Sequence, residues 1–562
     1  MRKKRIEIII DAKKCTAFQK ETILEVASRN GIEIPSLCYH PDLTAKAHCR
    51  LCLVEIEGRS GFFPACTTQV EKGMKVITDS PGLRRARQVN LELIFSQHQE
   101  ECFDCVWNFN CQMLNLAKKY NVEITHFQDR KKGYPVFQFG PALIFDSSKC
   151  VDCRACIEVC KNQGVGVLGI KKNQSFWEVM PLENFEEKCC YCGQCIIHCP
   201  VGAFEAVGEF EKVEKPLLDK SKTIVFQFAP AVRVSIGEEF NFSPGTILTE
   251  KLVAGIRKLG GGVVFDTSVG ADFTTFEEAK ELIERLKERK NLPLFTSCCP
   301  AWVRFVEIYY PEFIPNLTTV RSPHMILGGL VKSFWARRQK IEAEKIVVVS
   351  IMPCVAKKYE IKREDLKVNN LFPVDYVLTT RELAFLFKKY KIDLRKIAPS
   401  QADIPLGIPS GAGVIYGASG GVMEAALRTF SYLTTRKNFN KIKFQNLGKN
   451  EEIKTAKIKI GAYSLRAATV NGLGNAVKIL QELKKKPDLY DYIEVMACPG
   501  GCIGGGGQPL PVSPQIRKER AESLYQIYKT KEIRFAHENP VLKEVYDALS
   551  PQEIISITHR KE

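Results

Sequence analysis

Twenty-two of the 562 residues in this chain are cysteine, and most of them fall into short, regular groups. The basic opening segment has no long apolar core and no small-residue cleavage site, so we expect a cytoplasmic chain in a reducing compartment. Under reducing conditions, tight pairs and triplets of cysteine indicate metal ligation rather than disulfides. The spacing of the cysteines therefore predicts several metal centres.

Length, composition and charge limit the classes of protein to which this chain can belong. The length favours three or four domains, and 45% apolar residues are enough for a large core. No run of 18 apolar residues occurs, so we expect no membrane span. A formal charge of +17 could suit nucleic acid, but the lysines are scattered and no recognition module is visible, so we expect no nucleic-acid partner.

The first group consists of Cys38, Cys49, Cys52 and Cys66, spaced C-x10-C-x2-C-x13-C. A strand expected over 6–10 and a helix capped by Thr22 predict a small β-rich domain over 1–80. The spacing resembles plant-type ferredoxin domains, in which a loop encloses a [2Fe–2S] cluster, although the first gap here is longer. The longer gap is similar to that of the related domain at the head of complex I large subunits and of some hydrogenases. Zinc would also accept four thiolates and is the alternative.

The second group combines one histidine with three cysteines: His98, Cys102, Cys105 and Cys111. It resembles the site in the same two families in which an imidazole replaces one thiolate on a [4Fe–4S] cluster. A neutral imidazole removes one negative charge and should therefore alter the reduction potential of the cluster. We assign this site to a domain over 81–125.

Two further runs, each C-x2-C-x2-C-x3-C, predict a domain over 140–210. They resemble bacterial two-cluster ferredoxins, in which the fourth cysteine of each run ligates the other [4Fe–4S] cluster. The implied ligand sets are Cys150, Cys153, Cys156 and Cys199 for one cluster and Cys189, Cys192, Cys195 and Cys160 for the other. Lys161 stands where the first run usually has proline, and Cys190 is out of register and is expected to be a buried small residue.

After a polar, lysine-rich connection over 211–222, short apolar runs alternate with amphipathic segments. The runs predict parallel strands buried on both faces, in a large α/β domain over 215–562 that includes a C-terminal helical segment. In such a sheet, ligands bind beyond the carboxyl ends of the strands. Cysteines follow several of the runs, so we expect them to converge on one edge of one sheet.

Three segments at these strand ends are TSCCPAW, MPCVAKKYE and EVMACPGGCIGGGGQP. They resemble the signatures of [FeFe]-hydrogenases, and the resemblance covers nearly the whole chain. It implies a multidomain α/β and α+β architecture with a [2Fe–2S] β-grasp domain at the N-terminus. It also implies an H-cluster, in which a [4Fe–4S] cube is joined to a diiron unit carrying CO, cyanide and azadithiolate. The implied cube ligands are Cys299, Cys354, Cys498 and Cys502, of which Cys502 bridges to the diiron unit.

The same resemblance implies a proton path. Cys298 matches the relay cysteine of the family, and a thiol can donate and accept a proton without a fixed charge. Glu278, Glu281 and Arg285 share one face of a predicted helix and match the relay glutamates and the outer arginine. From the pattern alone, a solvated charged face is the alternative. Thr318 stands where the family commonly has serine, and it keeps the hydroxyl.

The surroundings of the diiron unit follow from the resemblance as well. Lys357 matches the residue that donates to a cyanide ligand, where its charge stabilises the anion. The matching neighbours and apolar lining residues are Ala229, Pro230, Met352 and Met496. Ala231 stands where many relatives have serine, which places one hydrogen bond in doubt. The glycine-rich stretch 413–421 lacks the lysine of a phosphate loop and predicts close helix packing.

The implied reaction is the reversible reduction of protons to dihydrogen, with electrons relayed by one [2Fe–2S] and three accessory [4Fe–4S] clusters. The implied partners are ferredoxin or a similar acidic carrier and the maturation proteins that supply the diiron unit. Flavin and NAD subunits of an electron-bifurcating complex are an alternative assembly. The rival functions are a dihydrogen sensor, a cluster-assembly relative and an electron-transfer subunit, the last of which explains residues 1–200 but not the three final motifs.

Overall fold

The structure, a computed structural model, describes residues 5–98, 102, 105, 111–173, 176–439, 445–447 and 450–561. The N-terminal sheet has the order Lys13–Phe18, Arg5–Ile10, Lys75–Ile77, Leu53–Ile56, Phe63–Pro64. Its central pair is parallel, and the other neighbours are antiparallel. The helix Ile23–Arg29 packs on this sheet and begins at Thr22, whose side chain forms a reciprocal capping box with Glu25. The predicted strand and the predicted cap are therefore confirmed.

The region that carries the next cysteine groups is built from short elements. Its sheet has the order Phe204–Ala206, Leu143–Asp146, Val136–Phe139, beside a hairpin of Leu168–Asn173 and Phe176–Pro181. Its helices are Pro81–Phe95, Gln112–Lys119, Ala155–Asn162, Phe185–Lys188 and Gln194–Ile197. Ile196 and Phe204 share one buried core with Trp302 and Val355 of the following region. The cluster-bearing region is therefore packed directly against the catalytic region.

Two sheets, and not one, form the catalytic region. The parallel four-stranded sheet has the order Val263–Asp266, Thr223–Phe228, Ile346–Met352, Tyr376–Thr379. The second sheet has the order Leu294–Phe295, Tyr492–Met496, Tyr463–Asn471, Asn450–Ile460, Gln445–Leu447, with parallel pairing among the first three strands. The expectation of a single sheet was wrong, because an apolar run identifies a strand without identifying the strand that pairs with it.

Helices cover both sheets. They are Phe210–Leu218, Thr249–Lys258, Thr267–Glu288, Pro300–Tyr309, Pro323–Leu330, Ala336–Gln339, Ala356–Glu360, Thr380–Lys389, Gly411–Val414, Gly421–Thr435, Leu473–Lys485, Pro514–Thr530, Pro540–Ala548 and Pro551–Thr558, with a π-helical turn at Val331–Trp335. Among the described helices, none is both long and apolar enough to cross a bilayer.

The segment predicted as a polar connection over 211–222 begins as a helix. Phe210, Val213 and Leu217 recur at helical spacing and pack against the core of the four-stranded sheet, where Val213 is fully buried. The lysines between them masked this apolar face in the sequence. The expectation of a polar connection was therefore wrong for residues 211–218, which are helical.

Candidate functional site

A pocket forms where the carboxyl ends of the two sheets meet. Ala229 and Cys354 follow strands of the four-stranded sheet, whereas Cys299 and Cys498 follow strands of the second sheet. All four line one cavity together with Cys502. Loops at the carboxyl ends of parallel strands are free to carry ligand-binding side chains, which explains why distant segments meet here.

Four thiols face one another across this pocket. The pKa of Cys498 is raised by burial and by the charges of Cys354 and Cys299, and the pKa of Cys502 is raised to about 12 by burial and by Cys299. Buried thiols that repel one another in this way ionise only when a cation compensates their charge. Four soft thiolate donors suit iron or zinc, so the residues fit the cube of an H-cluster.

Glycine allows the last cysteine loop to approach its neighbours. A Cβ added to Gly501, where φ is +92°, would lie 2.7 Å from the backbone nitrogen of Ser419, and one on Gly505 would lie 2.2 Å from the carbonyl oxygen of Pro353. Likewise, a Cβ on Gly413 would lie 2.1 Å from the carbonyl oxygen of Ser268. The close packing expected for the glycine-rich stretch 413–421 is therefore confirmed.

The rest of the pocket is apolar apart from a few polar groups. Its lining includes Ala229, Pro230, Met352, Met496 and Lys357. The Lys357 ammonium, 8% exposed, donates to the carbonyl oxygen of Cys298 at 3.1 Å and to Glu360 Oε2 at 2.7 Å. Ala231 is fully buried and has no hydroxyl to offer, as the sequence already indicated.

Glu360 and His324 are site residues that sequence reasoning missed. Glu360 Oε2 also accepts from His324 Nε2 at 2.6 Å, and His324 is fully buried in the pocket wall. Although burial would raise the pKa of Glu360, Lys357 and His324 hold it at about 2. A carboxylate three residues after Lys357 was a readable signal, because i and i+3 share a helix face. His324 carried no such signal.

The proposed proton-path residues lie on the helix Thr267–Glu288 and on the loop that packs against it. Thr318 Oγ1 donates to Glu281 Oε2 at 2.6 Å, and Arg285 donates to the other oxygen of Glu281. Glu278 is 1% exposed, and one of its oxygens accepts from the hydroxyl of Tyr492. Tyr492 was read from the sequence only as a strand residue.

The inner half of this path has a gap. Within the described residues, the second carboxyl oxygen of Glu278 is buried without a hydrogen-bond partner, and no hydrogen bond joins Glu278 to Cys298 or Thr318. Burial raises the pKa of Glu278 to about 8, and burial together with Glu278 raises that of the Cys298 thiol. The two groups are therefore close enough to influence each other, and a water molecule or a side-chain rotation is needed to connect them.

Each group of neighbouring thiols in the ferredoxin-like region combines three cysteines of one run with the fourth cysteine of the other run. Burial and the charges of Cys150, Cys153 and Cys199 raise the pKa of Cys156. Burial, then Cys192, Cys189 and Cys160, raises that of Cys195. The structure thus brings together two sets of four thiols, each with one member from the other run. Cys190 is 1% exposed, and its thiol hydrogen-bonds with that of Cys192 in the second set.

The second of these sets adjoins the pocket. The Cys498 sulfur lies 3.8 Å from the carbonyl oxygen of Cys192. Gly193 and Gly506 meet backbone to backbone, since a Cβ on Gly506 would lie 2.8 Å from the Cα of Gly193. Any larger residue at either position would push the two thiol groups apart.

The four N-terminal thiols form their own group next to the first ferredoxin set. The thiols of Cys38 and Cys49 form a hydrogen bond, and so do those of Cys52 and Cys66. The pKa of Cys38 is raised by its hydrogen bond with Cys49 and by burial, and the charge of Cys153 adds to the rise.

His98 is poised as a ligand. Its Nδ1 lies 2.8 Å from the carbonyl oxygen of Lys149, which can only accept, so Nδ1 carries the proton and Nε2 keeps its lone pair. This contact also ties the site to Cys150, the next residue. Cys102, Cys105 and Cys111 are half-buried, and the residues between them at 103–104 and 106–110 lie outside the described part of the chain.

Several family models match successive parts of the chain. Residues 222–506 match the family model of the iron only hydrogenase large subunit, C-terminal domain, and 514–551 match the iron hydrogenase small subunit. Residues 3–81 match a 2Fe-2S iron-sulfur cluster binding domain, 87–126 the NADH-ubiquinone oxidoreductase-G iron-sulfur binding region, and 184–205 a 4Fe-4S binding domain. The chain therefore combines a hydrogenase catalytic domain with ferredoxin-like domains in a mixed α/β fold.

Individual relatives cover nearly the full length. The NADP-reducing hydrogenase subunit HndD of Solidesulfovibrio fructosivorans is 37% identical over 99% of this chain and 97% of its own. Iron hydrogenase 1 of Clostridium pasteurianum is 35% identical over 96% of each chain. A solved structure of [FeFe]-hydrogenase HydA1 from Chlamydomonas reinhardtii superposes with a TM-score of 0.57 at 35% identity and covers 63% of this chain and 98% of that one. This chain belongs to the iron-only hydrogenase family.

Proposed function

We propose that this hydrogenase interconverts dihydrogen with protons and electrons in the pocket between its two sheets. The observation that carries the proposal is the composition of the pocket wall: four mutually facing thiols, an apolar lining and one buried ammonium. Thiolates hold an iron–sulfur cube, and the apolar wall keeps water from a reactive metal centre.

The residues that would hold the active-site cluster are Cys299, Cys354, Cys498 and Cys502. When bound, this cluster supplies a metal that accepts hydride and an amine that accepts the proton. Lys357 would donate to a cyanide ligand of the diiron unit, and its ion pair with Glu360 fixes the ammonium at the pocket wall. Ala229, Pro230, Met352 and Met496 surround the same unit and exclude water.

Protons move along a line of side chains from the pocket to the surface. Cys298 exchanges a proton with Glu278, which stays largely protonated at neutral pH because burial raises its pKa to about 8. The hydroxyl of Thr318 leads on to Glu281, with which it shares a 2.6 Å hydrogen bond. Arg285 orients Glu281 and marks the outer end.

The accessory ligand sets supply one-electron transfer. We assign a [2Fe–2S] cluster to Cys38, Cys49, Cys52 and Cys66 in domain 1–80, and a [4Fe–4S] cluster to His98, Cys102, Cys105 and Cys111 in domain 81–125. Two [4Fe–4S] clusters in domain 140–210 take Cys150, Cys153, Cys156 and Cys199, and Cys189, Cys192, Cys195 and Cys160. The catalytic domain spans 215–562. Three proximities support an order in which both N-terminal sites feed the first ferredoxin set and the second set feeds the pocket. They are the contact of His98 with Lys149, the effect of the Cys153 charge on Cys38, and the contact of Cys498 with Cys192.

Hydrogen evolution from reduced methyl viologen tests the reaction. The purified chain carrying its iron–sulfur clusters but no diiron unit should be inactive, and loading with the diiron unit, which maturation proteins supply in the cell, should start turnover. A loaded protein that neither evolves nor consumes dihydrogen would refute the proposal.

A ferredoxin or a similar acidic protein is the expected electron partner, because the chain carries a formal charge of +17. Attraction between opposite charges accelerates association and is screened by salt over about 10 Å at 0.1 M. Ferredoxin-coupled turnover should therefore fall at least severalfold as salt rises, whereas viologen-driven turnover of the same sample should not fall. Equal salt dependence of both assays would contradict docking by charge.

A second assembly is favoured by one observation, the match along 97% of an NADP-reducing hydrogenase subunit. In this assembly the chain is the dihydrogen-activating subunit of a complex with flavin- and NAD(P)-binding partners. With dihydrogen as the electron donor, the isolated chain should then reduce viologen but should not reduce NADP+. Addition of the partner subunits should make NADP+ reduction possible. NADP+ reduction by the isolated chain would exclude this division of labour.

A further inference from the structure

A groove open to solvent lies at the outer end of the proposed proton path. Glu277, Glu281, Arg285, Thr319 and His559 line it. Glu281 is only 11% exposed at its side chain, and its oxygens accept from Arg285, Thr318 and Thr319. A proton that leaves Glu281 must therefore cross the groove to reach bulk water. An arginine gives no help, because its guanidinium does not release a proton at ordinary pH.

The C-terminal segment 558–560 is fastened to the proton-path loop. Arg321 N donates to the carbonyl oxygen of Thr558 at 2.7 Å, and Arg560 N donates to that of Thr319 at 2.9 Å. Val320 and His559 form an antiparallel bridge, and Arg321 Nε donates to the carbonyl oxygen of His559 at 2.7 Å. Backbone pairing on both sides of His559 thus holds the imidazole in the groove that Glu281 also lines.

The hydrogen bonds around His559 fix which nitrogen is basic. Thr558 Oγ1 donates to the carbonyl oxygen of Ile554 at 2.7 Å, so at its 2.8 Å contact with His559 Nδ1 it accepts. Nδ1 therefore carries the proton of the neutral ring, and Nε2 keeps its lone pair. Within the described residues, Nε2 has no hydrogen-bond partner of its own.

Charged groups of both signs surround the His559 ring. Glu277 and Glu281 of the helix Thr267–Glu288 favour the imidazolium, whereas Lys280 of that helix and Arg321 of the loop disfavour it. Burial is the largest influence and lowers the pKa of His559 below 6.5. The ring is therefore a neutral base at pH 7, and Nε2 is the nitrogen that can accept a proton.

We propose that His559 is the proton-exchanging residue at the outer end of the path, and this inference rests on the proposed proton path through Glu281. A proton from the Glu281 carboxyl passes through groove water to Nε2, which gives an imidazolium. The imidazolium then releases that proton to water or buffer, and the neutral ring with its proton on Nδ1 is restored. The same steps run in reverse when dihydrogen is evolved.

The test is His559→Gln, in which the amide can still donate to Thr558 and the backbone pairing is kept. In dilute buffer, dihydrogen oxidation should fall by about three- to tenfold, and added imidazole should restore it, since a diffusible base replaces the lost one. The variant should also lose the part of the parent's pH dependence, on the acid side of neutrality, that comes from deprotonation of His559. The matched control, His126→Gln, changes a histidine that contacts Glu92 away from the groove and should alter neither property.

Two outcomes separate the failure of this inference from the failure of the path. If Glu281→Gln abolishes turnover while His559→Gln behaves as the parent in dilute buffer, the path stands and the role of His559 is refuted. If Glu281→Gln keeps full activity, the proposed path itself is wrong and His559 has no proton to exchange. A loss in His559→Gln that imidazole does not rescue would indicate a structural role and would also refute the proposal.

Discussion

Replacing Cys298 with alanine is expected to lower dihydrogen turnover by about two to four orders of magnitude while leaving every cluster in place. The thiol lines the pocket beside Cys299, and the charge of Glu278 adds to the effect of burial in raising the pKa of Cys298, which places the two side chains near each other. The backbone carbonyl that accepts from Lys357 is kept in the alanine variant, so the pocket wall should not change. The loss should therefore reflect proton transfer alone.

Cys190→Ala is the matched control for this variant. Cys190 is equally a buried thiol next to a proposed ligand, Cys189, and it contacts Cys192, but it does not line the pocket. It should retain parental turnover. Iron content and infrared spectra should match among all three proteins, and substantial turnover in Cys298→Ala would show that protons leave by another route.

Glu278→Gln should lower turnover about as much as Cys298→Ala does. It should also make the protein more stable than the parent at alkaline pH. The amide can still accept from Tyr492 but cannot release and regain an acidic proton. In the parent, the carboxyl with a pKa of about 8 loses its proton as pH rises, so hydrogen evolution should decline above about pH 8. The exposed carboxylate Glu284, on the same helix, provides the control Glu284→Gln, which should show neither effect.

The sign of the stability effect follows from linkage. The pKa of Glu278 is about 8 in the folded protein and 4.5 without burial, so the folded state holds its proton more tightly. The contribution of this carboxyl to stability is fully present below pH 4.5 and is lost as pH rises to about 8, by on the order of 5 kcal/mol. Glutamine removes this loss, so the difference in unfolding temperature between variant and parent should grow from pH 5 to pH 9. A constant difference would show that Glu278 is not protonated in the folded state.

Spacing predicted much of the site because iron–sulfur ligation depends on local cysteine patterns. The parallel strands Thr223–Phe228 and Tyr492–Met496 were also predictable, since continuous apolar runs mark strands that are buried on both faces. Their distribution over two sheets was not predictable. A hairpin completes the second sheet, and it consists of Asn450–Ile460 and Tyr463–Asn471. Its strands pair through backbone hydrogen bonds, which leave no signature in the sequence.

The missed site residues are those whose role depends on tertiary contact. Tyr492 reaches Glu278 across 214 residues, and His324 reaches Glu360 across 36. His559 is brought to the proton path only by the pairing of the C-terminal segment with Val320. Such pairs have no fixed spacing, so neither periodicity nor a motif could reveal them.

Infrared spectroscopy of the protein loaded with the diiron unit tests the central claim most directly. CO and cyanide have stretching bands in a spectral window that is clear of protein absorption, so the bands report the diiron unit itself. We expect both sets of bands in the parent and in Cys298→Ala, and we expect them to be lost in Cys502→Ser, which removes the proposed bridging ligand. A loaded parent protein without CO and cyanide bands would contradict the assignment of this pocket.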